Sequence, residues 1–277
     1  MKRKVRRGSI GIFDSGFGGL TILKEIVKEL PEYDYIYFGD TARTPYGNRP
    51  MKSVYEFTKQ AVDFLFAEGC ELIVLACNTA SATALRKIQQ EYLPARYPKR
   101  KRVLGVIVPA LEESIIKTKN NRVGLIATRG TVNSGTFKRE LKMRDPKIRL
   151  FSQSAPLLVP LVESGKYASK AAKRILARYL KPLFAKKIDT LILGCTHYGI
   201  LEPEIRKLAG KNVHILSEGK IVARKLVEYL ARHLEIDSTL SKRSKRVFYT
   251  TDRTERFQKL GSVFFGQRIS ALKTKLN

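Results

Sequence analysis

Short apolar runs rich in Ile, Val, Leu and aromatic residues recur along the chain, separated by longer stretches with apolar residues at helical spacing. The runs that read as strands are "SIGIF" (9–13), "YDYIYF" (33–38), "ELIVLA" (71–76), "VLGVIV" (103–108), "RVGLIA" (122–127), "IRLF" (148–151), "DTLILG" (189–194), "VHIL" (213–216) and "RVFYT" (246–250). Between them, residues 51–68 and 220–234 carry the clearest helical stripes. Continuous apolar strands alternating with helices predict an α/β fold of mostly parallel sheets with helices on both faces. Strands in this number fit one sheet or two. The stretch "YLPARYPKRKR" (92–102), with two prolines and a charge run, reads as a crossing between two lobes.

The pattern also repeats itself. "ELIVLACNTASATAL" and "DTLILGCTHYGIL" each give an apolar strand, a small residue, a cysteine, a polar residue and the start of a helix. In open α/β sheets such motifs sit at the carboxyl ends of the strands and face the ligand crevice. Two lobes meeting at those ends would set Cys77 and Cys195 opposite each other across one cleft.

Free cysteine usually packs as a small apolar residue, and Cys70 is read that way. The strand-to-helix position of Cys77 and Cys195 argues otherwise, because a helix N-terminus favours the thiolate. Cys195 and His197 are both metal-ligand types, but zinc takes three or four protein ligands at recognisable spacing. No C-x-x-C or clustered histidine is present, so no metal is expected.

The glycine-rich "IFDSGFGGLTIL" (12–23) suggests a dinucleotide loop, with Asp40 ending the next strand near the right distance. Thr21, however, stands where the third glycine of G-x-G-x-x-G belongs, and Asp14 puts a carboxylate where pyrophosphate would sit. The glycines alone can shape the turn. Asp14 is better used beside a thiol, as a proton acceptor or as the partner of an ammonium group. "YFGDTARTPYGNRP" (37–50) reads by itself as turn chemistry. In "ATRGTVNSGTF" (127–137), Thr131 can cap a helix whose free N–H groups accept an anion. Glu163, closing "PLLVPLVESG", can be read as simply surface.

The chain has 277 residues, enough for one large domain or two ordinary ones. No stretch approaches the ~20 apolar residues of a membrane span. The N-terminus begins like a basic n-region, but Asp14 and several glycines break the apolar stretch a signal peptide needs next, so a cytoplasmic protein without membrane attachment is expected. Lys and Arg number 53 against 25 Asp and Glu, a net charge of +28 concentrated in "MKRKVRR", "YPKRKR" and "SKRSKR". Such a surface attracts nucleic acid or anionic membrane in a salt-dependent, sequence-blind way, or is a solvated face with no dedicated partner. No helix-turn-helix, zinc-finger or RNP pattern accompanies it.

Together "GIFDSGFGGLTIL", "YFGDTARTPYGN", "ACNTASA", "ATRGTVNSGTF", "PLLVPLVESG" and "LGCTHYGIL" closely resemble the cofactor-independent aspartate/glutamate racemase family, in order from about residue 8 to about residue 265. The resemblance implies two pseudo-symmetric α/β lobes with the active site between them: residues 1–99 plus 212–277, and residues 100–211. It implies that Cys77 and Cys195 are the catalytic bases, with Asp14 assisting Cys77, and His197 and Glu163 assisting Cys195. Substrate contacts would fall on Asp14, Ser15, Pro45, Tyr46, Gly47, Asn78, Thr79, Thr131, Thr196 and His197. The implied activity is interconversion of L- and D-glutamate without a cofactor, supplying D-glutamate for bacterial peptidoglycan, with a homodimer as the implied assembly. Aspartate or another amino acid is the alternative substrate. From a different class, a nucleic-acid-associated protein on the same scaffold would use the positive charge.

Inversion at Cα needs a thiolate on one face and a thiol on the other. Without an electron sink, preorganised donors must hold the doubly charged carboxylate of the carbanion. Backbone N–H groups opening "CNTAS" and "CTHYG", with the hydroxyls of Thr79 and Thr196, suit that task. One departure from the family stands out. Where it tends to read Asp-Ser before the last long helix, this chain has Ser217 and Glu218, with Ser217 still able to cap.

Overall fold

The structure, a computed structural model, describes residues 7–97 and 101–276. All of "MKRKVRR" except Arg7, and residues 98–100 of the expected crossing, lie outside the described residues.

The strands are β1 (Ser9–Asp14), β2 (Tyr35–Gly39), β3 (Cys70–Leu75), β4 (Arg102–Gly105), β5 (Arg122–Ala127), β6 (Arg149–Ser154), β7 (Thr190–Gly194), β8 (His214–Leu216), β9 (Arg246–Thr250) and β10 (Leu272–Lys273). They form two sheets, ordered β10-β9-β2-β1-β3-β4 and β6-β5-β7-β8, and every pairing is parallel. The central strands read as continuous apolar runs because helices cover both faces; Ile10, Ile12, Phe13 and Leu72 to Leu75 are buried. Gly11 keeps β1 close to its neighbours: a Cβ there would lie 3.0 Å from Cys70 Sγ. Cys70 is wholly buried, and that burial raises its thiol pKa.

Three details differ from expectation. The apolar run 103–108 is split: only Arg102–Gly105 is strand, and the helix Ile107–Lys117 starts within the rest. The expected lobe boundaries put β4 in the second lobe and β8 in the first, but β4 pairs with β3 in the first sheet and β8 pairs with β7 in the second. The two crossings therefore fall after β4 and after β8, rather than at 99/100 and 211/212. β10 has no counterpart among the expected strands, since two exposed residues at a sheet edge carry no apolar pattern.

The helix Glu218–Arg232 packs on both Leu20–Glu29 of the first lobe and Ile107–Lys117 of the second. One apolar cluster accordingly runs from Ile10 and Leu20 through Val222 and Leu226 to Leu193 and Tyr198. The lobes are joined by a shared core, and the carboxyl ends of β1, β3, β5 and β7 open on the cleft between them.

Candidate active site

On the first lobe, β1 ends at Asp14 and its neighbour β3 runs into Cys77. Asp14 is fully buried; one carboxylate oxygen accepts the Gly16 N–H at 2.9 Å, and the other accepts the Thr196 hydroxyl of the second lobe at 3.2 Å. Burial raises its pKa, opposed by the charge of His197 and by these donors. The Ala76 and Cys77 N–H groups both donate to Phe13 O, so the cysteine is fixed by the sheet itself. Its Sγ donates to Ser15 Oγ at 3.6 Å. Burial, reinforced by the negative charge of Asp14, pushes the Cys77 thiol up to about 11, while the Ala80 N–H and Ser15 pull the other way.

On the second lobe, β7 delivers Cys195 in extended backbone, followed by a 3₁₀ turn over Thr196–Leu201. His197 Nδ1 lies 3.9 Å from Cys195 Sγ, and its Nε2 lies 3.1 Å from Glu163 Oε1. A carboxylate only accepts, so Nε2 carries a proton toward Glu163, and Nδ1 is the ring nitrogen that faces the sulfur. Glu163 closes the helix Leu158–Glu163, and its other oxygen is 3.8 Å from Arg256 Nη2. The side chain read as surface is thus the group that sets the histidine tautomer. Phe264 packs edge-on against the His197 ring at 5.7 Å.

Burial drives the Cys195 thiol well up in pKa. The backbone N–H of His197 opposes this, and the charges of Cys77, Asp14 and Glu218 add to it. Asp14 ends the strand beside β3 and accepts from Thr196, the residue after Cys195, so the two cysteine-bearing strand ends meet at one locus.

The remaining expected residues gather around the same cleft. Thr79 Oγ1 is 2.9 Å from Thr128 Oγ1 and 3.3 Å from Thr131 Oγ1, joining the lobes through hydroxyls. Thr131 does not cap its helix as expected: Thr128 is the cap, and Thr131 donates its N–H to the Thr128 hydroxyl at 3.2 Å. Pro45 follows a cis peptide bond, and Gly47 lies so close to the second lobe that a Cβ would be 2.6 Å from Thr128 Cβ. The Tyr46 hydroxyl is committed elsewhere, donating to Asp40 at 2.5 Å, and Arg43 also donates to Asp40 at 2.6 Å. Asp40 therefore pins the loop 41–49 rather than meeting a ribose. A second close approach lies at Gly18, where a Cβ would be 2.1 Å from Thr196 Oγ1 and 2.6 Å from His197 Nδ1.

Two site residues escape a reading of the sequence: Thr128 and Glu218. Ser217 does occupy the N-cap position but makes no capping hydrogen bond. Glu218 turns inward, only 4% exposed, and accepts from Asn78 Nδ2 at 2.6 Å. The available signal is position, since Glu218 follows β8 much as the cysteines follow β3 and β7. Glutamate in a first helical turn ordinarily faces water and the helix dipole, which hides it. Among the described residues, no group of three or more His, Cys, Asp or Glu side chains is arranged to hold a metal ion.

The glutamate racemase of Enterococcus faecalis is 41% identical over 259 residues, covering 93% of this chain and 92% of its own. Among solved structures, the glutamate racemase isoform RacE1 of Bacillus anthracis matches with a TM-score of 0.89 at 34% identity, covering 98% of each chain. The glutamate racemase of Francisella tularensis, in complex with D-glutamate, matches with a TM-score of 0.87 at 32% identity, covering 98% of this chain and 99% of its own. Residues 10–226 match the Asp/Glu/Hydantoin racemase family, a span that holds both cysteine-bearing strand ends, and the chain belongs to that family.

Proposed function

We propose that this chain interconverts L- and D-glutamate, moving the Cα proton between Cys77 and Cys195. The observation that carries the mechanism is a pair of buried thiols on strand ends that meet through the Thr196–Asp14 hydrogen bond, Cys77 with Asp14 and Cys195 with His197 as its acid–base neighbour. Near pH 7 a thiol at about 11 is ionised in only about one molecule in ten thousand. Thiolate formation is therefore tied to substrate: an α-ammonium group entering beside the sulfurs lowers their pKa by its charge. His197 Nδ1 is placed to take the Cys195 proton, while Glu163 holds the ring in the tautomer that can accept it. Asp14 does the corresponding work near Cys77.

The thiolate removes the Cα proton from one face and the opposing thiol delivers its own proton to the other. Sulfur roles are exchanged at the end, so the reverse reaction starts from the product state. The negative charge that gathers on the α-carboxylate meets N–H groups at the start of Asn78–Thr83 and the hydroxyl of Thr79. Those donors stand in place before the reaction, which is how a site without an electron sink stabilises a carbanion.

The bound D-glutamate of the Francisella relative supports glutamate as substrate, and supply of D-glutamate to peptidoglycan fits the family. The resemblance supports a homodimer. The net charge of +28 supports weak, salt-sensitive contact with nucleic acid alongside catalysis. Among the described residues no helix is long and apolar enough to cross a membrane; the cytoplasm fits the sequence. Purified protein in deuterated water, with no added cofactor, is expected to place deuterium at Cα of both enantiomers of glutamate and little in aspartate. Exchange of neither acid would remove the assigned task from the cysteines.

A further inference from the structure

The proton relay leaves Glu218 without a task, although it lies within electrostatic reach of both Asp14 and Cys195. Its contact with Asn78 is half of a familiar pairing. Asn78 Nδ2 donates to Glu218 Oε2, while the other two atoms of these planar groups, Asn78 Oδ1 and Glu218 Oε1, are buried without a hydrogen-bond partner. A carboxylate has no proton to offer, so both acceptors would remain orphaned, each at a desolvation cost. A carboxylic acid has one: with a small turn of the two groups, an O–H on Oε1 donates to Asn78 Oδ1. That closes a ring of two hydrogen bonds.

We propose that Glu218 is a neutral carboxyl group that locks the Asn78 amide edge to edge, making it the positioning residue for this part of the glutamate site. The inference rests on the function proposed above, because Asn78 opens the helix that receives the substrate carboxylate. Asn78 itself is only 2% exposed, so nothing from solvent competes for its amide.

Electrostatics agrees with the geometry. Burial raises the Glu218 carboxyl to about 8, the Asn78 bond opposes the rise, and the charge of Asp14 adds to it. The other titratable groups on packed elements are His197 on the turn Thr196–Leu201, Lys24, Glu25, Lys28 and Glu29 on Leu20–Glu29, Glu112, Glu113 and Lys117 on Ile107–Lys117, and Glu235 and Asp237 on Leu234–Asp237. Lys225 and Arg224 of Glu218's own helix engage Glu112 and Glu113. No cation is paired with Glu218 among the described residues, so no ion pair holds it ionised. The active form is the protonated one, and its contribution is lost as pH rises through about 8. Above that pH the ring opens and a negative charge stands where Cys195 feels it.

The test compares wild type, E218Q and E218A in kcat and KM for L-glutamate across pH 6.5 to 10. Glutamine keeps both hydrogen bonds of the ring at every pH; alanine keeps neither. Wild type is expected to lose kcat/KM above about pH 8, approaching tenfold per pH unit. E218Q is expected to restore what E218A loses and to shift that decline upward by a pH unit or more. E218A is expected to raise KM about tenfold or more, with a smaller change in kcat. A decline in E218Q identical to wild type, or an E218A enzyme with unaltered KM, would overturn the proposal. A difference infrared spectrum of wild type against E218Q at pH 7 reads the protonated carboxyl directly. Its absence overturns the neutral ring, and its presence supports it even if glutamate proves not to be the substrate.

Discussion

C77A and C195A are each expected to lose glutamate racemisation by about 10³-fold or more, while each still exchanges the Cα proton of one enantiomer. General acid–base groups contribute about 10²–10⁴-fold, and here removal of one leaves a face of Cα with no proton source at all. The remaining thiol can still take a proton from the enantiomer that presents it and return a solvent-derived one to the same face. The two variants must choose opposite enantiomers, because the sulfurs face each other from different lobes. Enantiomers have equal free energy, so any residual racemisation has the same kcat/KM in both directions. Asymmetry is therefore visible only as exchange without inversion. Proton NMR of each enantiomer in deuterated water, with each variant, separates the cases. Undiminished turnover in either variant, or both variants exchanging the same enantiomer, would sink the two-thiol mechanism. Both side chains are small and buried neutral, so the fold should tolerate their truncation.

The second large effect is expected from a single methyl group at Gly18. The Cβ of G18A would sit 2.1 Å from Thr196 Oγ1 and 2.6 Å from His197 Nδ1, and neither neighbour is the loose end of a flexible chain. Thr196 is held by its bond to Asp14, and His197 by Glu163. Relief must come from separating the two loops, hence the two lobes, at the point where the sulfurs have to share one Cα. Overpacking of this kind costs about 1–3 kcal/mol, and a misplacement near 1 Å costs about 10²-fold in rate. A thermal melt a few degrees lower, together with a kcat reduced about 10²-fold at a temperature where the variant is fully folded, is the expected result. A folded G18A enzyme with wild-type kcat would show that the lobes have slack there.

The strands are legible in the sequence because burial on both faces leaves an unbroken apolar run, as in β3 and β7. Their carboxyl ends are legible for the same reason: the run stops, and Asp14, Cys77 and Cys195 stand at the stops. Partnership across the cleft is less so. That Thr196 donates to Asp14, or that Glu218 accepts from Asn78, depends on lobe packing between residues 182 and 140 positions apart. Thr128 and Thr131 are both hydroxyl residues one turn apart, and only backbone geometry decides which one caps. Glu163 enters through family resemblance, since its own neighbours in the sequence give it no reason to be more than a surface acid. The sheet membership of β4 and β8 eludes the sequence because an edge strand looks the same whichever sheet it joins.

The two sheets also differ in how much of the chain each requires. The four-stranded sheet is drawn from one continuous segment, β5 to β8, complete once Leu216 has been made. The six-stranded sheet pairs β2, near the beginning, with β9, near the end. On a ribosome, its β1–β3 half, carrying Asp14 and Cys77, must wait for about 170 further residues before Arg246–Thr250 arrive to cover the open edge. The half with Cys195 has no such wait, so the lobe encoded later is the one that can be finished first.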